Sequence, residues 1–235
     1  MTPRHRFRAS LLAALLTGAC AARSPLVRQE CYNPDTQLAN VLKPLEALRA
    51  TGCVASSTSS TSECDRLARE ISRLGVVCAG HAPTLMANAV LAYDDARPAV
   101  AQQWLDTLLS TPGAHADAAV LRARIAIEEG NVRFAQRLVD QQLRLTPDHA
   151  GLYELQAAAL YLDHRLPEAR HALTVAQTLG APAWRVAYHL GLIEEGSGQR
   201  EAAARYYTQA LEGHPGWPLA ESRLRALRAQ ISARP

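Results

Sequence analysis

The chain has 235 residues, of which 48% are apolar and 20% charged, with a formal net charge of +3 and 5 Cys. That apolar share is enough to bury a core, and it excludes a disordered or fibrous chain. A nearly balanced charge with only 5% aromatic residues leaves no footprint for nucleic acid.

In chain order, residues 1–19 read as a secretion signal. Arg4, Arg6 and Arg8 make a basic start, and Leu11 to Ala19 is an apolar run too short to stay in a bilayer as a spanning helix. Leu16-Thr17-Gly18-Ala19-Cys20 follows. It resembles a bacterial lipobox, in which the Cys is diacylated on sulfur and becomes the new N-terminus. The alternative is an ordinary signal peptide cut at the A-x-A site Ala19-Cys20-Ala21. Ala21, where inner-membrane lipoproteins carry Asp, implies by the same resemblance the periplasmic face of an outer membrane; without the lipid the chain would be soluble in the periplasm. The signal holds three Arg and no acid, so the mature chain is formally 3 − 3 = 0.

Residues 20–34 form a tether. Asp35 is placed to cap a helix reaching about Ala50, with Leu38, Val41, Leu42, Leu45 and Leu48 at helical spacing and Pro44 placed to kink or delay it. Ala55 to Ser62 is nearly all Ser and Thr and reads as a loop. A second helix runs from about Glu63 to Leu74, with Leu67, Ile71 and Leu74 on one face. If Cys20 is lipidated, four Cys remain, an even number suited to two disulfides in an oxidising compartment. Cys31 precedes the first helix and Cys53 follows it, whereas Cys64 opens the second and Cys78 follows it. In an antiparallel hairpin the inner ends meet and the outer ends meet, which pairs Cys53 with Cys64 and Cys31 with Cys78. The alternative, a four-Cys metal site, lacks any close C-x-x-C pair. Residues 35–81 are thus expected to be a stapled cap.

Residues 82–217 carry a periodic pattern. Gly191, Ala203, Ala210 and Pro215 stand twelve, seven and five residues apart. Steps of about 34 residues back from Gly191 meet Ala157, Ala123 and Ala89. The same steps from Ala203 meet Ala169, Ala135 and Ala101. Two antiparallel helices approach closely only where facing side chains are small, and a Pro at the end cannot continue the helix. Pro215 and Pro147 hold that last position, with Pro182 and Pro112 one residue off, and the turn between paired helices falls at Ala96, Gly130, His164 and Gly198. The marks divide the stretch into 82–115, 116–149, 150–183 and 184–217.

This spacing resembles the tetratricopeptide repeat. The resemblance implies an all-α fold, a superhelix (α-solenoid) of helix-turn-helix repeats whose ends need capping. Residues 218–235, with Leu219, Leu224, Leu227 and Ile231 at near-helical spacing, supply the C-terminal capping helix. The sequence departs from the family at Asn88, Arg122 and Gln156, where Leu is usual and only Leu190 conforms, and at Gln142, where a small residue is usual. The resemblance also implies that positions 2, 5, 9, 12 and 13 of each unit line a concave groove. Carried over, this predicts a partner-binding groove containing Met86, Tyr93, Asp94, Arg124, Ile127, Glu154, Tyr161, Arg185, Tyr188 and Glu195. About half of its Tyr are expected to pack between repeats, and Trp104, Trp184 and Trp217 to be core.

No catalytic spacing is present: there is no G-x-S-x-G, H-E-x-x-H, C-x-x-C or phosphate-cradling glycine loop. His81, His115 and His149 recur at the repeat period, too far apart for one metal, and read as turn residues. The acids Asp94, Asp95, Glu128, Glu129, Glu194 and Glu195 read as solvated helix ends, and Arg223, Arg225, Arg228 and Arg234 as the solvated face of the last helix. No cofactor, metal or enzymatic activity is expected. The resemblance implies an adaptor for a protein or peptide partner in the cell envelope, held to the membrane through Cys20 and aiding assembly of an envelope, pilus or secretion complex; the alternative is a scaffold recruiting cell-wall hydrolases or proteases.

Overall fold

Eleven helices, joined by turns, make up the described residues of a computed structural model, 31–53 and 62–232. The expected signal, Cys20, most of the tether, the Ser/Thr stretch up to Thr61 and Arg234 lie outside them. The fold is all-α, a tetratricopeptide-like superhelix in which each helix packs on the next and first helices also pack on first helices. Among the described residues no helix is long and apolar enough to cross a membrane.

Two helices open the described chain: α1 (Pro34–Ala50) and α2 (Glu63–Val77). Asp35 does not cap α1. Pro34 holds the first helical position and Asn33 precedes it with φ 41°, so Asp35 falls in the first turn, where its charge meets the positive helix end. Pro44 sits inside α1 without ending it, because Leu38 and Leu45 hold the helix against Leu67 and Ile71. Ser62 belongs to α2 rather than to the preceding loop: its Oγ accepts from the Asp65 N–H at 3.1 Å while the Ser62 N–H donates to Asp65 at 3.2 Å. Disulfides join Cys31 to Cys78 and Cys53 to Cys64, the pairs that hairpin geometry selects. Four sulfurs in two such bonds leave no thiolate among them for a metal. The pair packs through Cys64, Leu67 and Ile71 onto Leu91 of the next helix, covering the first repeat.

Four helical pairs follow. They are α3 (Ala82–Asp94) with α4 (Pro98–Leu109), α5 (Ala116–Glu128) with α6 (Val132–Leu143), α7 (Ala150–Leu162) with α8 (Leu166–Thr178), and α9 (Ala183–Gly196) with α10 (Arg200–Gly213). α11 (Pro218–Ser232) closes the series. The turn inside each pair needs one left-handed residue: Ala96, Gly130, His164 and Gly198 have φ of 55°, 78°, 59° and 75°. The next N–H reaches back to close the first helix, as Asn131 does to Ala126 at 2.7 Å and Arg165 to Leu160 at 2.9 Å. Ala96 and His164 accept a steric cost of about 1 kcal/mol that Gly avoids.

The small residues do what close packing requires. Ala89, Ala101, Ala123, Ala135, Ala169 and Ala203 have no exposed surface, and Ala157 almost none. Gly191 differs in what it faces: a Cβ there would stand 2.5 Å from the Tyr207 ring. In the last pair the small first-helix residue makes room for a fully buried Tyr, whose hydroxyl donates to Glu195 at 2.7 Å. The three Trp are partly rather than fully buried. Trp184 lies 5.0 Å from Trp217 in an edge arrangement, and Trp217 lies 4.4 Å from Tyr188, so these rings seal the last repeat against α11.

Candidate functional site

The positions named by the repeat pattern lie on the face built by first helices, but they do not form one open groove. Ile127 from α5, Tyr161 from α7 and Tyr188 from α9 converge on a cavity of about 240 Å³. Ala158, Leu162 and Leu192 add to its largely apolar wall beside the His189 ring, and Arg223 reaches it from α11. Leu162 is 43% exposed, so the cavity opens to solvent beside a bare apolar side chain. Met86 lies elsewhere, in a cavity of about 340 Å³ with Pro83, Leu108, His115 and Thr146.

The charged members of the predicted groove are mostly engaged within the chain. Glu154 is buried: both its oxygens accept from Arg185, at 2.6 and 2.7 Å, and so neither residue presents a free charge to a partner. Asp94 and Asp95 pair with Arg49 of α1, at 3.6 and 2.8 Å, and tie the cap to the first repeat. Glu195 accepts from Tyr207 and, at 3.2 Å, from Arg223. Tyr93 donates to Glu128 at 2.6 Å, a bond between successive first helices. Arg124 is exposed and interacts with Tyr93.

Two sequence expectations are corrected by these contacts. The acids at the ends of first helices are bridges rather than merely solvated termini: besides those above, Glu194 pairs with Arg170, and Glu129 accepts from Gln102 at 2.5 Å. Their position at the end of the first helix lets most of them reach a preceding element, while Glu195 reaches forward to α10 and α11. Arg223, exposed like Arg225 and Arg228, also reaches the site through Glu195 and the cavity edge.

Two phenols and an imidazole around the cavity, those of Tyr188, Tyr207 and His189, are held neutral. Burial raises the Tyr188 phenol, against the opposing pull of Arg223, and raises the Tyr207 phenol further with help from Glu195. Burial, reinforced by Arg185 and Arg124, lowers His189 to about 4. At neutral pH the surface is therefore an apolar pocket with uncharged phenols and imidazole and a guanidinium at its edge. It can recognise an apolar side chain; it offers no nucleophile paired with a base. Among the described residues no group of three or more His, Cys, Asp or Glu is placed to hold a metal ion. His81, His115 and His149 each stand in the turn at the N-cap position of a first helix, with no side-chain capping bond, and their Nε2 atoms contact Asp35, Thr111 and Asp117 respectively.

Leu162, Leu192 and Ala158 stand at repeat positions 13, 9 and 9, so the rule that found Tyr161 could have found them. Arg223 lies outside the repeats, and nothing in the periodicity points to it.

No family model matches the sequence, and no curated protein matches it either. Solved structures do. The chain is similar to one in the crystal structure of the APC/C hetero-tetramer Cut9-Hcn1, with a TM-score of 0.69 and 12% identity over 85% of this chain. It spans only 37% of that longer chain. A thermophilic TPR protein of Thermus thermophilus is similar over 82% of this chain and 99% of its own, at 16% identity and TM-score 0.64. YrrB, a TPR protein with an unusual peptide-binding site, is similar over 86% of this chain and 99% of its own, at 11% identity and TM-score 0.52. At these identities the likeness is one of fold.

Proposed function

We propose that the protein is a non-enzymatic adaptor that binds a peptide or protein segment on its first-helix face, with an apolar side chain seated between α5, α7 and α9. The observation that carries this reading is the solvent-open cavity walled by Tyr161, Tyr188 and Leu192, beside the exposed Leu162. An exposed apolar patch next to a preformed pocket is costly for a free monomer and useful for a bound one. YrrB, which shares the fold, is described by its peptide-binding site.

The signal-like start and Cys20 extend the proposal to a lipid-anchored protein on the periplasmic face of an outer membrane, helping to assemble an envelope, pilus or secretion complex. Mass spectrometry of the mature N-terminus checks the anchor: a diacylated Cys20 is expected, and an unmodified Ala at the N-terminus would leave the protein soluble in the periplasm.

The binding reading is tested by in-cell crosslinking and affinity capture with the parent and a Leu162→Glu, Leu192→Glu variant that retains the parent's helical signal. Partners captured by the parent and lost by the variant are expected. An identical partner set from both would move binding off this face. A partner set of cell-wall hydrolases or proteases would favour recruitment over assembly.

A further inference from the structure

The repeat period allows one junction of the superhelix to be compared with the next, and one of them is open. Between α4, α5 and α6 the chain fills the groove itself. Arg122 lies over the Phe134 ring at 4.5 Å and donates to Asp106 at 2.8 Å, with only 11% of its side chain exposed. One period on, between α6, α7 and α8, the equivalent acid is kept as Asp140, but Gln156 replaces Arg122 and Glu168 replaces Phe134. A shorter amide and a carboxylate cannot reproduce a guanidinium stacked on a ring. A cavity of about 510 Å³ stands in their place, lined by Asp140, Gln156, Glu168 and His171. At the following junction the same positions are Thr174 and Leu190, so the carboxylate and its cation disappear together.

We propose that this cavity, on the second-helix face, receives an arginine side chain from a protein partner, placed as Arg122 is placed one repeat earlier. Charge complementarity supports that occupant. Asp140 has no ion pair within 4 Å among the described residues; it accepts a long 3.4 Å bond from Gln156 and feels Arg165 only at longer range. Glu168 adds a second carboxylate, while Arg165, which pairs with Glu168, is the one cation in the lining. The cavity therefore carries net negative charge. Asp140 offers a carboxylate to a planar fork of donors, the geometry that Arg meets better than Lys. The site is separate from the first-helix cavity, so the two can be engaged at once.

The test uses the isotope-labelled full chain and N-acetyl-arginine methylamide as probe, followed by nuclear magnetic resonance. Saturable shifts of the Gln156 side-chain amide and the His171 ring are expected at millimolar probe, with weaker binding of N-acetyl-lysine methylamide. Gln156→Arg supplies the missing guanidinium from within and should weaken probe binding by about tenfold or more; Asp140→Asn should do the same without filling the space. Loss of binding in both variants, each still folded, supports the proposal. Equal binding by parent and variants, shifts centred elsewhere, or no saturable shift would overturn it.

Discussion

Truncation of Arg185 to Ala leaves the Glu154 carboxylate, 5% exposed, without the two hydrogen bonds at 2.6 and 2.7 Å that satisfy it. Breaking a fully buried ion pair from one side costs about 3–5 kcal/mol, whereas a fully exposed pair contributes about 0–1 kcal/mol. Arg185 is 35% exposed, so water can enter from its side once the guanidinium is gone. The expected loss lies between these limits, at roughly 2 kcal/mol. In a chain of this size that lowers the melting temperature by about 4–8 °C. The check is a thermal melt followed by circular dichroism, with Glu154→Leu combined with Arg185→Ala as control. Removing both charges leaves no orphan, and so the double variant should lose less than Arg185→Ala alone. A melting temperature for Arg185→Ala within about 1 °C of the parent, equivalent to a few tenths of a kcal/mol, would refute this reasoning and return Glu154 and Arg185 to the set of charges free for a partner.

Three further outcomes are expected. His189 titrates near 4 when folded against an ordinary 6.5, so below 6.5 the unfolded chain takes up a proton that the folded one refuses. Stability should fall as pH drops from 6.5 towards 4, by roughly 2 kcal/mol for this partly buried ring, and His189→Gln should flatten that part of a denaturation–pH profile; an unchanged slope would count against it. The Cys31–Cys78 link closes 47 residues and Cys53–Cys64 closes 11, worth about 4 and 3 kcal/mol by loop closure. Reductant should therefore lower the melting temperature, and Ala at Cys31 and Cys78 should lower it more than Ala at Cys53 and Cys64. Gly191→Ala places a Cβ 2.5 Å from the Tyr207 ring; overpacking of about 1–3 kcal/mol should outweigh the roughly 1 kcal/mol gain in helix propensity, and a stabilised variant would show that the last pair has slack.

What the sequence made legible is what the backbone demands. Close helix contact needs Ala or Gly, the left-handed turn tolerates few residues, and Pro stops a helix, so the starts of α3, α5 and α7 at Ala82, Ala116 and Ala150 fall on the first residues of three predicted units. The two cysteine pairs were equally readable, because a hairpin has only two ends. The site was less legible. A position rule says which way a side chain points, not what it meets there, and Glu154 points as the rule says only to be claimed by Arg185. Neighbouring charges a full repeat apart leave no local mark in the sequence, and Arg223 enters from a helix outside the repeat altogether.

The departures from the family pattern are better guides than the matches. Asn88, Arg122 and Gln156 all stand where Leu is usual, and each reaches the second helix of the preceding pair. Asn88 donates to the carbonyl of Ile71 at 2.9 Å, Arg122 to Asp106 at 2.8 Å and Gln156 to Asp140 at 3.4 Å. Gln142, where a small residue is usual, is buried and accepts the His115 N–H at 3.3 Å, which anchors the turn before α5. A polar residue at such a junction is tolerated only with a partner, because an unpaired one costs about 1–3 kcal/mol. The series runs from a short bond, through a filled groove, to a long bond over an open cavity, and ends at Leu190 with an apolar contact. Its weakest member is where the fold has given up self-sufficiency, and that is the junction at which an outside arginine has most to gain.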